Sequence, residues 1–274
     1  MYINNKKISI LVTNYNKGKF LEKCLNSCLL QNQKNIEIIV CDNISTDRSQ
    51  VVIKKFFKKI ILKRKKKISN SGPINQIDLI KLGYRFSSGS LIFLLDGDDF
   101  FFKDKIKTVS KLFERNKKID VIYDLPIVKL NNSYKKFKLN KKLNQNIWPT
   151  IIPTSSISLR RNFFSKCLKL GIFNNYNHLE IDFRINVFSR NIEKKFIIID
   201  KNLTVYRDVN GGIMDNIKKF SYIWWIKRQQ AHFFMRDIYK INNKKNVYIN
   251  FDFIFSLIVN CFLYLFYKKS SHRN

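Results

Sequence analysis

Short apolar runs alternate with longer amphipathic segments over the first hundred residues of this chain. "ISILVT" (Ile8 to Thr13), "IEIIVC" (Ile36 to Cys41), a shorter run at Ile60 to Leu62 and "LIFLL" (Leu91 to Leu95) contain few polar positions. Runs of this kind predict strands buried on both faces. After the first run, Phe20, Leu21, Cys24, Leu25, Cys28 and Leu29 recur at three- and four-residue spacing and share one helical face. A second helix is predicted after "DNISTD", through Val51, Val52 and Phe56, with Thr46 or Asp47 as candidate cap. "SGPINQIDLIKLGYRFSSG" reads as a turn, a helix carrying Ile77, Ile80 and Leu82, and a second turn. Strands alternating with helices predict an α/β layered sheet.

The second half is less regular. From about Asn131 to Trp148 the pattern lapses into a Lys/Asn-rich stretch, read as a loop or excursion. "WPTIIPTSSISLRR" resumes order, its prolines keeping the chain extended. "HLEIDFRINVF" opens a helix with Glu180 and Asp182 at its start, "KFIIIDKNLTVYR" supplies two short strands, and "SYIWWIKRQQAHFFMRDIY" is a helix with aromatic and basic faces. Tyr248 to Lys269 approaches the length of a membrane span, but Asn250, Asp252, Ser256 and Asn260 interrupt it. Polar groups inside a bilayer are costly, so an interfacial or core-packed amphipathic helix is favoured over a span. The opening residues give only a short apolar run, so no secretory leader is expected.

Composition changes this picture in two places. Lys and Arg number 52 against 20 Asp and Glu, a net charge of +32. A basic field binds polyanions and anionic lipid. Lys, Asn, Ile and Phe are inflated together, however, as AT-rich coding produces without selection for binding. The densest run, Lys54 to Lys67, alternates with apolar residues and reads as a helix end, a strand and a solvated loop. Five cysteines (Cys24, Cys28, Cys41, Cys167, Cys261) form no CxxC pair, and three histidines (His178, His232, His272) form no cluster with them. A zinc site is not expected, and a reduced compartment is the simpler reading.

Against the basic background, "LIFLLDGDDFF" places Asp96, Asp98 and Asp99 directly after a buried strand. Like charges a few ångströms apart repel, and desolvation raises that cost. Two readings are open: a solvated Asp-Gly turn, or carboxylates gathered around a divalent cation. Placement discriminates. In α/β sheets ligands sit outside the carboxyl ends of the strands, and right-handed crossovers bring those ends to one edge. Thr13-Asn14-Tyr15, Asp42-Asn43 and Asp96-Gly97-Asp98-Asp99 all fall there. A nucleic-acid module would explain the charge but not three polar clusters so placed.

Taken together these residues resemble the family 2 glycosyltransferases of GT-A fold. The matching motifs are Thr13, Tyr15 and Asn16 ending the first strand, Asp42-Asn43 with Ser45, Thr46 and Asp47 after the second, Asp96, Asp98 and Asp99, and Asp182-Phe183-Arg184. The resemblance covers roughly the first 210 residues. It implies a Rossmann-like mixed sheet flanked by helices with a C-terminal helical appendage. The expected glycosyltransferase domain is residues 1–214, with a nucleotide-binding part of about 1–125 and an acceptor part of about 126–214, followed by a possibly membrane-associating helical segment, 215–274. It implies an inverting transfer from a nucleotide-diphosphate sugar to a glycan or lipid-linked glycan. Mg2+ or Mn2+ would be held by Asp98 with help from Asp96 or Asp99. Thr13 and Tyr15, with Asn14 between them, would contact the base, and Asp42 and Asn43 its polar edge; the family has Asp where Asn43 stands, which leaves the base open. Asp96 and Arg207 would complete the nucleotide site, although a surface role for Arg207 is equally compatible. Asp182 matches the general base. Glu180, two residues away, is its rival, and both acids also suit a helix N-terminus. Arg184 would bind phosphate or pair with Asp182. The expected setting is the cytoplasm, in bacterial surface-polysaccharide assembly, with peripheral contact on the inner membrane. A nucleotidyltransferase or an inactive nucleotide-binding scaffold are the alternatives.

Overall fold

The apolar runs become β1 (Ile8–Asn14), β2 (Ile36–Asp42), β3 (Ile61–Arg64) and β4 (Leu91–Asp96) of a seven-stranded sheet. Our computed structural model describes residues 7–131, 133–139, 150–208, 217–241 and 250–271. Successive residues of a strand face opposite sides, and here both sides are apolar. Leu11, Ile39, Cys41, Ile92 and Leu94 enter one core, while Ile10, Val12, Ile38, Val40, Phe93 and Leu95 enter the other. That is why the runs show no alternation.

The second of these cores is closed by α1 (Gly18–Leu29), α2 (Ser49–Phe56) and α4 (Lys105–Arg115), through Leu21, Cys24, Val52, Ile106 and Phe113 among others. The first is closed by α3 (Gly72–Phe86), α5 (Arg161–Lys169), α6 (Ile181–Phe188) and α7 (Tyr222–Ile241). Ser71 caps α3 by accepting the Ile74 N–H, and Pro73 fits its first turn, where no donor is needed. Each buried Leu, Ile or Phe contributes about 1.5–3 kcal/mol, an upper figure because the unfolded chain already hides some surface.

Strand order is β10-β6-β9-β4-β1-β2-β3, with β6 at Val121–Asp124, β9 at Ile157–Arg160 and β10 at Phe196–Ile199. All pairs are parallel except those of β9, which runs against both β4 and β6. The order turns back between β1 and β4, and a crevice opens at such a switch point. A second sheet, β5-β11-β7-β8, comprises Phe100–Phe101, Thr204–Asp208, Ile127–Leu130 and Ser133–Lys136.

The structure corrects the sequence reading at β7 and β8. β7 and β8 pair antiparallel and Asn131, just after β7, has a φ of +46°, where a loop or excursion was expected from Asn131 onward. The pair carries no burial pattern, because β8 is exposed throughout. Residues 140–149 of that expected loop lie outside the described residues.

The last helix, α8 (Phe251–Ser271), packs on α7 with its polar residues inward. Asp252 takes Arg228 Nη2 at 2.6 Å and His232 Nε2 at 2.9 Å, and Asn260 Nδ2 donates to the Trp225 carbonyl at 3.0 Å. Phe251, Ile258 and Leu265 point outward, 83%, 61% and 61% exposed. Among the described residues no helix is long and apolar enough to cross a membrane. The segment is therefore amphipathic, with polar residues on α7 and apolar residues outward.

Candidate active site

The end of β1 is clipped to both neighbouring strands. Thr13 Oγ1 donates to Asp96 Oδ1 at 2.5 Å on one side, and Asn14 Nδ2 to Asp42 Oδ1 at 2.7 Å on the other. Asp42 is fully buried and also accepts the Ser45 N–H, the Ser45 hydroxyl and Gln50 Nε2. Its oxygens are thus occupied in shaping the loop after β2, and Asn43 is left beside them with its Oδ1 buried and without a hydrogen-bond partner among the described residues. Asn16 and Ile44 take positive φ angles of 51° and 57°, and Asn16 ties the two loops by donating its N–H to Ser45 Oγ and accepting that of Thr46. Asp47 caps two helices, accepting the Ser49 N–H at the start of α2 and the Gly18 N–H at the start of α1. Tyr15 stands at the rim, 49% exposed.

The loop after β4 is not a solvated turn. Gly97 donates its N–H to the Thr13 carbonyl at 2.8 Å, and a Cβ there would sit 3.0 Å from both that carbonyl and Asn14 Oδ1. Any Cβ would press on that backbone carbonyl, so glycine suits the close approach of the loop to β1. Asp99 is 1% exposed and both its oxygens are engaged, Oδ1 with the Arg207 N–H at 2.7 Å and Oδ2 with the Ser155 hydroxyl at 2.6 Å. Burial and the Asp98 and Asp96 charges push Asp99 upward, and those two donors oppose them. Asp96 is half-buried; burial first, then Asp98, raises it to about 6, while Thr13, Gln76 and Lys17 work the other way. Asp98 meets Lys17 Nζ at 2.6 Å.

Ser155 links this loop to a buried ion pair. Its Oγ accepts the Asp96 N–H, and its carbonyl takes Lys105 Nζ at 2.8 Å. Lys105 is fully buried and also bonds Asp124 Oδ1 at 2.7 Å and Thr204 Oγ1 at 2.6 Å. Burial lowers the Lys105 pKa and the Asp124 charge counteracts that. Both sheets are joined to the acidic loop through these residues.

Asp182 lies in the first turn of α6, its Oδ1 accepting the Phe183 N–H at 2.7 Å. Burial and then the Glu180 charge raise it to about 7, and the Asp96 charge acts in the same direction, so the two carboxyls share one electrostatic environment. Glu180 is ion-paired with Lys227 of α7. Arg184 does neither of the things expected of it. Its buried guanidinium donates to the carbonyls of Ile172, Asn174, Asn175, Tyr176 and Leu179, holding the chain that leads into α6. Arg207 lays its guanidinium over the rings of Phe20 and Phe100, 4.8 and 5.2 Å from their centroids. It therefore stands beside the acidic loop, whose Asp99 holds its backbone.

Among the described residues no three His, Cys, Asp or Glu side chains gather as a metal cluster. A nucleotide-linked Mg2+ or Mn2+ asks for less: one or two carboxylates, with phosphate oxygens and water completing the shell. Asp96 and Asp98 supply hard oxygen donors of that kind, and the rise in the Asp96 pKa caused by Asp98 is what a cation between them would relieve. The residues fit. Asp99, fully engaged inside the protein, fits less well.

A seven-stranded mixed sheet with helices on both faces and carboxylates at its switch point defines the GT-A architecture of glycosyltransferases. The family model "Glycosyl transferase family 2" matches residues 9–171, more than half of the sequence, and the chain belongs to that family. An uncharacterized glycosyltransferase of Mycoplasma pneumoniae is 33% identical over 181 residues, 60% of this chain and 57% of its own length. Another, from Nostoc, is 27% identical over 172 residues, 58% of this chain and 52% of its own. The chain thus spans little more than half of either relative. Among solved structures, Staphylococcus aureus TarS 1–349 in complex with UDP-GlcNAc superposes with a TM-score of 0.60 at 16% identity, covering 92% of this chain and 79% of that one. A mannosyltransferase from Pyrobaculum calidifontis in complex with GDP-Man and Mn2+ gives 0.55 at 12% identity, covering 88% and 65%.

Lys17, Gln76, Lys105 and Ser155 belong to the site or its support and were not legible in the sequence. Lys17 and Lys105 are two among 52 basic residues, and only their placement separates them from surface lysines.

Proposed function

We propose that the protein transfers a sugar from a nucleotide-diphosphate donor to an acceptor hydroxyl with inversion, in bacterial cell-surface polysaccharide or glycolipid assembly. The observation that carries this is the pairing of Asp96 and Asp98 at the switch point with a half-buried Asp182 that feels the Asp96 charge. Asp182, raised to about 7, is poised to accept the acceptor's proton near neutral pH. Glu180, held by Lys227, is less available for that role. Thr13, Asn14, Tyr15, Asp42 and Asn43 line or shape the base end, with Tyr15 exposed for packing on the base. Arg207 borders the diphosphate end. Asp96 and Asp98 would hold Mg2+ or Mn2+, which when bound stabilises the departing diphosphate as a Lewis acid. Residues 1–214 are assigned to the transferase domain and 215–274 to a helical segment docked on it. Calorimetric titration of UDP and GDP, with and without Mn2+, tests the reading; absence of binding under every condition counts against it.

The outward apolar face of α8 supports peripheral contact with an anionic bilayer, where a lipid-linked acceptor would reside. Phe251, Phe255 and Ile258 are exposed, Trp225 packs against Phe255 at 5.7 Å, and the protein is strongly basic. Cosedimentation with vesicles containing phosphatidylglycerol is expected, weakened by salt and abolished by deleting residues 251–274. Wild-type protein left wholly in the supernatant would sink this part of the proposal.

A further inference from the structure

Asp98 is the carboxylate most available to a cation, yet a cation of the protein's own already sits on it. Lys17 Nζ lies 2.6 Å from Asp98 Oδ2, with the two side chains 23% and 14% exposed. Lys17 immediately precedes α1, and its carbonyl accepts the N–H groups of Phe20 and Leu21. Its backbone is therefore anchored while the ammonium hangs on a flexible stem, free to swing without disturbing the helix. Its charge also reaches Asp96. One turn further along α1, Phe20 carries the Arg207 guanidinium, so two cations flank the acidic loop on the α1 side.

An ammonium and a divalent ion cannot both sit against one carboxylate without strong mutual repulsion. We infer that Lys17 is a displaceable counter-ion for Asp98. It neutralises that carboxylate when no divalent cation is bound, and it moves to a diphosphate oxygen when one is. The inference rests on the nucleotide-sugar reading and adds a residue to it. Lys17 thereby opposes metal binding and favours diphosphate binding, and one variant separates the two effects.

Lys17→Met keeps the length of the side chain and removes its charge. Calorimetry with MnCl2 alone is expected to show about five- to tenfold tighter binding than wild type, the scale of a released partly covered ion pair. Titration of protein saturated with MnCl2 by inorganic pyrophosphate is expected to show about tenfold weaker binding, through loss of a charge-assisted contact. Damage to the fold would weaken both, so the opposite signs are the signature; Lys17→Gln, measured alongside, should repeat them. Two affinities that move together, or neither moving, would overturn the role of Lys17 while wild-type binding of UDP or GDP leaves the transferase reading intact. Failure of the wild type to bind Mn2+, UDP or GDP overturns both.

Discussion

Replacing Asp182 by Asn is expected to lower sugar transfer by about 100- to 10,000-fold, the range for loss of a general base, with donor binding close to wild type. The acceptor hydroxyl must lose its proton as the bond to the donor sugar breaks, and an amide cannot take it. Asp182 is suited because burial and the Glu180 charge hold its carboxyl near 7, where it is basic enough to accept a proton and still largely ionised above neutrality. The base works in its deprotonated form, so the rate should rise with pH through about 7 and level off above it. Glu180→Gln removes a like charge that raises Asp182, and should shift this profile to lower pH with a milder effect on the plateau rate. Rate–pH profiles of the three proteins check both points. Were Glu180→Gln the more damaging change, Glu180 would be the base.

Asp98→Asn is the second large effect. Turnover should fall by more than about 100-fold, because the substitution removes one of the two carboxylates available to hold the cation that stabilises the leaving diphosphate. Little of the fold should follow. The amide is nearly isosteric, Asp98 is partly exposed, and the covered ion pair it makes with Lys17 is a modest contributor to stability. Loss of the Asp98 charge also lowers the pKa of Asp96, so the remaining carboxylate stays ionised. Thermal melts should match wild type to within a few degrees while Mn2+ no longer stimulates activity. Full activity of EDTA-treated wild-type enzyme would remove the cation from the account.

The parallel core of the fold was legible because its strands are buried on both faces and its helices on one, so hydrophobicity alone marks them. β9 was hidden: Ile157–Arg160 is four residues long, sits among serines and prolines, and becomes a strand only through long-range antiparallel pairing with β4 and β6. Exposed β8 had no apolar signature at all. At the site, the convergence of Thr13, Asp42 and Asp96 followed from strand ends sharing an edge, and the hydrogen bonds through Thr13 and Asn14 realise it. What the pattern did not reveal is the division of labour among acids. Asp96 and Asp98 are partly exposed, whereas Asp99 and Asp42 are buried with both oxygens held by internal donors, a distinction set by burial rather than residue type. Arg184 was misread for the same reason: five backbone carbonyls from a loop about ten residues earlier claim it.

The central claim, transfer from a nucleotide-diphosphate sugar by this site, is tested most directly by following nucleoside-diphosphate release from a panel of UDP- and GDP-sugars, with Mn2+ or Mg2+ and a mixed glycan and lipid-linked acceptor pool. The expected result is turnover of at least one donor by the wild type, lost in both Asp98→Asn and Asp182→Asn although both remain folded. Release that continues unchanged in those two variants would contradict it.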